Sequence, residues 1–370
     1  MMKIVLGALA LTGATTPALA TETSWSTTDR DLASLSSSLT QGASGVSVSG
    51  FLRSSYVGWS DQDVGGFSID DAQIWVNGTV GDFGVVVQTE AADSPRFFNN
   101  DTGDFTSGPD VDDDGDGVPD DVDTLNRPNQ PGTVGSLGNL GVLDAYVTWN
   151  ATEMIKVQMG QFRPAVLGSS LGNENNLLFI NRSFLGGLFA YRDQGVQVGG
   201  SFGMVNAVVY LQNGADGAFD EISFGGRASA TIMGTASANE GALGASGDPS
   251  LTVGLGFTDD KGELADQVIA VDAAFTMGAL GVSVEIVDVD EDDATLFNVA
   301  GSFVVMPDQL EVGLRYEDFD DADNENWITL GANWYLQGHA AKWQFNYIML
   351  NSDDPADDTD LFQVGLTVSM

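Results

Sequence analysis

The stretch LFQVGLTVSM, residues 361–370, decides the fold, because apolar and polar side chains alternate along it with a period of two. Successive side chains of a β-strand point to opposite faces, so a strand here has one apolar and one polar face. The same alternation recurs at 341–349 and at 309–317. In the first stretch the apolar residues are Phe362, Val364, Leu366, Val368 and Met370, and the polar or small ones are Gln363, Gly365, Thr367 and Ser369.

Alternation alone is also typical of a soluble β-sandwich, and three further features favour a barrel that crosses a membrane. The segments cluster near about ten or eleven residues, the length of a tilted strand that crosses a bilayer. The connections alternate between short turns, such as 81–82, and long acidic loops. The polar faces carry charges, which suit a watery interior better than a packed core. These charges include Arg53, Asp71, Arg227, Glu285 and Glu311.

Counted along the chain, the alternating segments number about sixteen, and closed bacterial barrels have an even number of antiparallel strands. Every second connection is short, with 234–249 as the one long member of that set. The sequence therefore predicts an all-β fold, a transmembrane antiparallel β-barrel over 45–370. The predicted strands are 46–57, 67–80, 83–91, 140–149, 154–163, 191–201, 204–212, 221–233, 250–258, 266–276, 280–289, 294–305, 309–319, 326–336, 341–350 and 360–370.

The start of the chain has a different character. Residues 1–20 combine Lys3, an apolar run and the small-residue site Ala18-Leu19-Ala20, the pattern of a secretory signal peptide. We expect 21–44 to be a periplasmic N-terminal segment, either a short helix or a disordered tether. No later stretch is long and apolar enough for a transmembrane helix. The chain has no cysteine, so disulfides play no part in its stability.

The charge balance excludes one class of function, and the scarcity of histidine argues against another. The chain has 53 acidic and 13 basic residues and a formal net charge of −40. Such a surface repels nucleic acid, so a nucleic-acid-binding protein is excluded. The single histidine is His339, which leaves little basis for nucleophilic catalysis by a serine that needs a histidine base. We therefore expect a protein that is not an enzyme.

The segment DVDDDGDGVPDDVD, residues 110–123, places aspartates at the spacing of a calcium loop. Oxygen ligands from alternate residues converge on one cation, and Gly117 permits the sharp turn between them. We expect a structural Ca²⁺ in the external connection 92–139; the alternative is a solvated acidic loop. The motif also leaves open a calcium-dependent surface or adhesion protein. The expected ligands are Asp112, Asp114, Asp116, the carbonyl of Val118, Asp120 and Asp123.

Six stretches carry a family resemblance: DDAQIWVNGTVGDFGVVVQTE (70–90), LDAYVTWN (143–150), VQMGQFRPAVLG (157–168), FINRSFL (179–185), YRDQGVQVGG (191–200) and VVYLQNGADG (208–217). In this order and spacing they are similar to the phosphate-selective porin O/P family and its relatives in the porin superfamily. The resemblance implies a trimeric, sixteen-stranded channel in the bacterial outer membrane. It also implies that the third external loop, here about 164–190, folds inward to narrow the pore.

The candidate pore residues are mainly arginines. Some lie at strand positions whose side chains point into the barrel, and the others flank or lie on the loop 164–190. Guanidinium groups facing carboxylates would create a transverse field that screens solutes by charge and dipole. Alternatively, these arginines pair with carboxylates of the lumen and fix the loop. The predicted pore-lining and constriction residues are Arg53, Arg163, Glu174, Arg182, Arg192, Asp193, Arg227 and Arg315.

Aromatic residues near strand ends have two explanations. Girdles at the bilayer interfaces are the commoner one, and a stacking track for sugars is the other. The residues concerned are Trp59, Trp75, Trp149, Trp327, Trp334, Tyr335, Trp343 and Tyr347.

The sequence differs in charge from the phosphate-selective family that it resembles. After the predicted signal peptide the lysines are Lys156, Lys261 and Lys342, and the long connections are rich in carboxylates, which attract cations. We expect a passive diffusion porin for small hydrophilic solutes or ions with a weak cation preference. We expect a homotrimer embedded in outer-membrane lipid. An anion- or phosphate-selective channel, as in the resembled family, is the alternative.

Overall fold

The computed structural model describes residues 45–59, 65–91, 141–214, 222–237, 239–245, 247–260, 265–290, 294–319, 325–353 and 358–370. The predicted signal peptide, the segment 21–44 and the predicted calcium loop 92–139, with all six of its expected ligands, lie outside these ranges and stay predictions. Within the described ranges no helix is both long and apolar enough to cross a membrane.

Sixteen strands form a closed antiparallel barrel. Their bounds differ from the predicted ones by no more than two residues. The strands are β1 (Ser47–Trp59), β2 (Gly65–Val80), β3 (Phe83–Glu90), β4 (Gly141–Asn150), β5 (Ile155–Phe162), β6 (Asp193–Phe202), β7 (Val205–Gln212), β8 (Ser223–Met233), β9 (Ser250–Asp260), β10 (Ala265–Met277), β11 (Leu280–Val289), β12 (Ala294–Met306), β13 (Leu310–Asp318), β14 (Asn326–Tyr335), β15 (Ala341–Asn351) and β16 (Thr359–Ser369).

Each strand pairs with its neighbours in the chain, and β1 closes the ring by pairing with β16. In this pairing Phe51 lies opposite Ser369, and the backbone N–H of Met370 donates to the carbonyl of Gly50 at 2.9 Å. A closed ring leaves no strand edge unpaired. The connection between β5 and β6 contains two short helices, α1 (Gly168–Leu171) and α2 (Phe184–Leu188), and a 3₁₀ turn (Glu174–Asn176).

Inner and outer faces alternate as the period of two requires. On β15, Trp343, Phe345 and Tyr347 are each 39% exposed, whereas Lys342 and Gln344 on the opposite face are fully buried. The outer face of the ring therefore carries large apolar and aromatic side chains, and the inner face carries polar ones. This is the reverse of a soluble protein and the arrangement of a barrel surrounded by lipid.

On several strands the inner face is polar over only part of its length. Near the long connections it is apolar and packs against α2, where the rings of Phe184 and Phe319 meet edge to face with centroids 4.6 Å apart. The expectation of one polar face per strand is therefore wrong at this end, because a buried helix gives apolar side chains a partner. The inner residues of this cluster include Val57, Val268, Val287, Val289, Leu296, Trp327, Ile348, Leu350 and Leu361.

Candidate functional site

The candidate site is built around the connection between β5 and β6, residues 163–192. Its middle is the apolar run Leu177–Ile180, in which every residue is at most 4% exposed. This stretch leaves the sheet where β5 ends at Phe162, just before Pro164, which has no N–H for a strand ladder. Ser183 caps α2 by accepting a hydrogen bond from the N–H of Gly186 at 3.0 Å.

The apolar run is bound by donors from distant strands. Lys342 on β15 donates from Nζ to the carbonyl of Leu177 at 2.5 Å, and Asn333 on β14 donates to the carbonyl of Leu178 at 2.7 Å. Arg315 on β13 donates to the carbonyl of Asn181 at 3.1 Å. In the ring of sixteen strands β13 is the strand diametrically opposite β5. Residues 163–192 therefore start on one wall and hydrogen-bond to inner-face side chains of the other.

Glycines on the receiving wall make room for this contact. A Cβ atom at Gly331 of β14 would lie 2.7 Å from the ring of Phe179, closer than any real Cβ contact. The guanidinium carbon of Arg315 lies 4.7 Å from the centre of the same ring, within the range of a cation–π interaction. The run Leu177–Ile180, which is the tip of the segment 163–192, is thus held by steric fit as well as by hydrogen bonds.

Glu174 is the centre of an arginine cluster. Its Oε1 pairs with Arg163 at 2.6 Å and with Arg182 at 2.8 Å, and its backbone carbonyl accepts from Arg53 at 3.4 Å. Burial raises the pKa of Glu174, but the charges of Arg163, Arg182 and Arg192 outweigh burial and hold the pKa well below the ordinary 4.5. Burial lowers the pKa of Arg163 to about 10, so both groups stay charged at neutral pH.

The remaining predicted arginines each pair with a carboxylate on or beside the wall. Arg53 pairs with Asp71, and Arg192 pairs with Asp144 at 3.3 Å. Two more pairs lie apart from the cluster. Arg227 on β8 donates to Asp272 from both terminal guanidinium nitrogens, one of them at 2.7 Å, and also donates to the carbonyl of Val166 at 3.0 Å. Arg315 pairs with Glu317 at 2.7 Å.

Asp193 has a different placement. Its carboxylate accepts from the backbone N–H groups of Gln194 at 2.6 Å and Gly214 at 2.9 Å, which fixes the start of β6 against the end of β7. The structure thus gathers Arg53, Arg163 and Arg182 on Glu174, and it places Arg227 and Arg315 elsewhere on the ring. The predicted role of these residues in permeation stays a prediction.

A second segment reaches the same place and was not anticipated. It is the β8–β9 connection, 234–249, on the side of the short turns. The N–H of Glu240 donates to the carbonyl of Asn176 at 3.1 Å, and the Glu240 carboxylate accepts from the N–H of Leu178 at 3.1 Å. The N–H of Ala242 donates to Glu311 on β13 at 2.6 Å. In the sequence, only the unusual length of this connection distinguishes it from the other short turns.

His339 lies in the turn between β14 and β15, beside the tip of 163–192. Its Nδ1 is 3.5 Å from Nζ of Lys342, and its ring meets that of Tyr335 with centroids 5.3 Å apart. Burial, and then the positive charge of Lys342, lower the pKa of His339 to about 3. The imidazole is therefore neutral at physiological pH.

The aromatic residues near strand ends divide into two groups. Trp149, Trp334, Trp343 and Tyr347 are 39–46% exposed on the outer face, as girdle residues would be. The girdle expectation is wrong for Trp327, Tyr335 and Trp75. Trp327 and Tyr335 are at most 9% exposed on the inner face, and Trp75 lines an internal cavity. Strand parity decides this, since each shares the face of buried polar neighbours.

Two cavities flank the segment 163–192. One, of about 450 Å³, lies against the inner faces of β1 to β6; the other, of about 470 Å³, lies between this segment, the β8–β9 connection and the inner faces of β9 to β12. Among the described residues there is no group of three or more histidine, aspartate or glutamate side chains placed to hold a metal ion.

Comparison with known proteins gives structural neighbours only. No family model and no curated protein match the chain. A loop deletion mutant of OmpT, an outer membrane protein of Vibrio cholerae, is similar with a TM-score of 0.55 and 16% identity, over 88% of this chain and 99% of that one. A variant of Rh. blastica porin is similar with a TM-score of 0.53 and 14% identity, over 88% and 100%.

A second variant of Rh. blastica porin has 16% identity and the same TM-score of 0.53. At such low identity these likenesses concern the fold alone, and they agree with the closed barrel of sixteen strands. They do not confirm the resemblance to the phosphate-selective family, which stays a prediction.

Proposed function

We propose that this chain is a porin of the bacterial outer membrane, through which small hydrophilic solutes or ions diffuse passively. The observation that carries the proposal is the distribution of polarity around the closed ring. Large apolar side chains cover the outside, while Arg53, Glu285, Glu311 and Arg315 lie on the inside. A ring of this kind satisfies every backbone hydrogen bond within the sheet, as a structure that spans a bilayer must.

In this proposal the segment 163–192 is the inward-folded constriction of the pore. Its support is the set of contacts from Leu177, Leu178 and Asn181 to β13, β14 and β15. Because the arginines that border it are paired with carboxylates, they present little net positive charge to a passing ion. This pairing argues against a strong anion preference.

The channel is weakly cation-preferring and works as a homotrimer in outer-membrane lipid. The support for cation preference is the excess of 53 acidic over 13 basic residues, since carboxylate-rich mouths concentrate cations within a Debye length. The 92–139 connection binds one Ca²⁺ through Asp112, Asp114, Asp116, Val118, Asp120 and Asp123, and the support is their spacing alone.

Reconstitution in a planar bilayer tests the proposal. The purified protein should give stepwise conductance, in groups of three equal steps for a trimer. A protein that stays monomeric and water-soluble without detergent, or that inserts without conducting, would contradict the proposal.

A further inference from the structure

The cavity of about 450 Å³ has the size of a small-molecule site and an unusual lining. It lies between residues 163–175 and the inner faces of β1 to β6. Two kinds of side chain dominate its wall: neutral amides and aromatic rings. The lining includes Asn77, Gln88, Gln158, Gln197, Asn173 and Asn175, with Trp75, Tyr146 and Phe162.

The charged groups that border this cavity are already paired. Arg163 binds Glu174 and also donates to the carbonyls of Ser170 and Gly172. Asp144 binds Arg192 at 3.3 Å. An ion that entered the cavity would have to compete with these internal partners, so the wall offers it little uncompensated charge.

The amides are uncharged, and only some of them have partners: Gln88 donates to Gln73 at 2.7 Å and Asn175 donates to Ser369 at 3.4 Å. Gln158 is only 8% exposed, yet its side-chain amide has no hydrogen-bond partner among the described residues. Gln197 lies directly opposite it in the register of β5 and β6 and is likewise without a partner within the described part of the chain. Each amide offers one carbonyl acceptor and two N–H donors. Gln158 is buried and Gln197 is half-buried, and both line the cavity, where a ligand that supplies donors and acceptors can pair with them.

The aromatic side of the cavity includes a stacked pair of rings. Trp75 stacks on Phe51 with ring centroids 5.7 Å apart and an angle of 20° between the planes. Trp75 lies opposite Gln88 in the register of β2 and β3, so an aromatic face and an amide stand side by side. A flat ring next to an amide suits a molecule that has a C–H face and hydroxyl groups around its edge.

We infer that this cavity binds a neutral, polyhydroxylated ring, a sugar of one or two units, on Trp75, Gln158 and Gln197. The inference rests on the proposed function, because it names a class of solute for the same channel. Sugar hydroxyls both donate and accept, which matches the amides, and a neutral solute does not disturb the ion pairs around Arg163 and Asp144. The sugar is transiently held as it passes the constriction.

Single-channel recording with glucose and maltose tests the inference. Each sugar should reduce the current in a saturable way. Trp75→Leu and Gln158→Leu should each raise the half-blocking sugar concentration by about 3- to 10-fold. This is the size expected for loss of one stacking contact or one hydrogen bond. The matched control is Trp149→Leu, whose tryptophan is 46% exposed on the outer face and should leave sugar block unchanged. Folding of each variant is checked by its heat-modifiable mobility on gels.

The outcomes separate the inference from the proposed function. A current that falls linearly with sugar concentration, equally in all variants, would overturn the sugar site and leave the channel intact. Block by phosphate but not by sugar would also overturn it. If no conductance appears, calorimetric titration of the detergent-solubilised protein with maltose decides: binding that Gln158→Leu weakens keeps the site without the channel, and no binding overturns both.

Discussion

Nζ of Lys342 donates a hydrogen bond of 2.5 Å to the backbone carbonyl of Leu177, and the two residues stand 165 positions apart in the chain. The lysine is fully buried on the inner face of β15. One side chain thus ties the tip of the segment 163–192 to the wall opposite its origin. Variants of Lys342 and of other residues that contact this segment test what these interactions do.

Lys342→Met should loosen the tip. The substitution keeps the length of the side chain but removes the donor, and losing a hydrogen bond to a charged group costs about 1.5–3 kcal/mol. We expect more current noise in single-channel records and a lower temperature of barrel unfolding on gels. Lys156→Met, at an exposed position on β5, is the control. Equal noise in both variants would show that Lys342 does not hold the segment.

Glu174 makes the arginine cluster sensitive only to strong acid. Because its folded-state pKa lies well below 4.5, the stability that it adds is fully present above about pH 4.5, its value when unfolded, and is lost as the pH falls through the folded-state pKa. Protease protection of 163–192 should therefore be constant from about pH 7 to pH 5 and decline below pH 4.

Glu174→Gln should show at pH 7 the weakened protection that the unchanged protein shows only in acid, because Arg163 and Arg182 then lack their anion. Glu153→Gln, in an exposed turn, is the control. The role given to Glu174 fails if its variant and the unchanged protein are cleaved alike at every pH.

The β8–β9 connection should restrict the channel from the side of the short turns. Replacing 236–248 by a two-residue turn removes the contacts of Glu240 with Asn176 and Leu178, and that of Ala242 with Glu311. We expect higher conductance and more noise, and a smaller change of the same kind for Glu240→Ala. Unaltered conductance after the replacement would mean that this connection lies beside the path of permeation.

Calcium should protect the connection 92–139 against proteolysis. Limited digestion with calcium or with a chelator should differ there and nowhere else, since a bound cation orders the loop that supplies its ligands. The double variant Asp114→Ala with Asp116→Ala should abolish the difference and leave the barrel assembled. Identical cleavage patterns under both conditions would return the segment to a solvated acidic loop.

Selectivity should show a weak cation preference that fades at high salt. The carboxylate-rich mouths act over a Debye length of about 8–10 Å at ordinary salt and over less as salt rises. Reversal potentials across a potassium chloride gradient, repeated with phosphate, measure this. Anion preference with phosphate block at low concentration would favour the alternative of a phosphate-selective channel.

The barrel could be predicted from sequence because a strand has a fixed period of two. In β13 the alternation of Val312 and Leu314 with Glu311 and Arg315 places each side chain on the correct face, and the bounds follow within two residues. The closed ring then follows from the even count and the alternation of short and long connections.

The contacts between connections could not be predicted, because irregular segments carry no period. Nothing local in the sequence indicates that Glu240 meets Leu178, or that Leu177 meets Lys342. The mouth of the barrel shows the same limit. Ile348 and Leu350 continue the inner parity of Lys342, but only the position of α2 explains why apolar residues are stable there. The position of Trp75 along the chain leaves the girdle and the sugar-track explanations open, whereas its parity with the buried Gln73 indicates the inner face.

The pairing of Phe51 with Ser369 has a consequence for assembly. All the other strand pairings join neighbours in sequence, so their loop-closure entropy is modest, whereas this seam joins the first strand to the last. A sheet that is still forming has two edges with unpaired backbone groups until β1 and β16 pair. Such an open edge is a template for pairing with another chain. The chain is therefore most vulnerable to aggregation just before its final pairing, and a factor that shields β1 would serve it best at that moment.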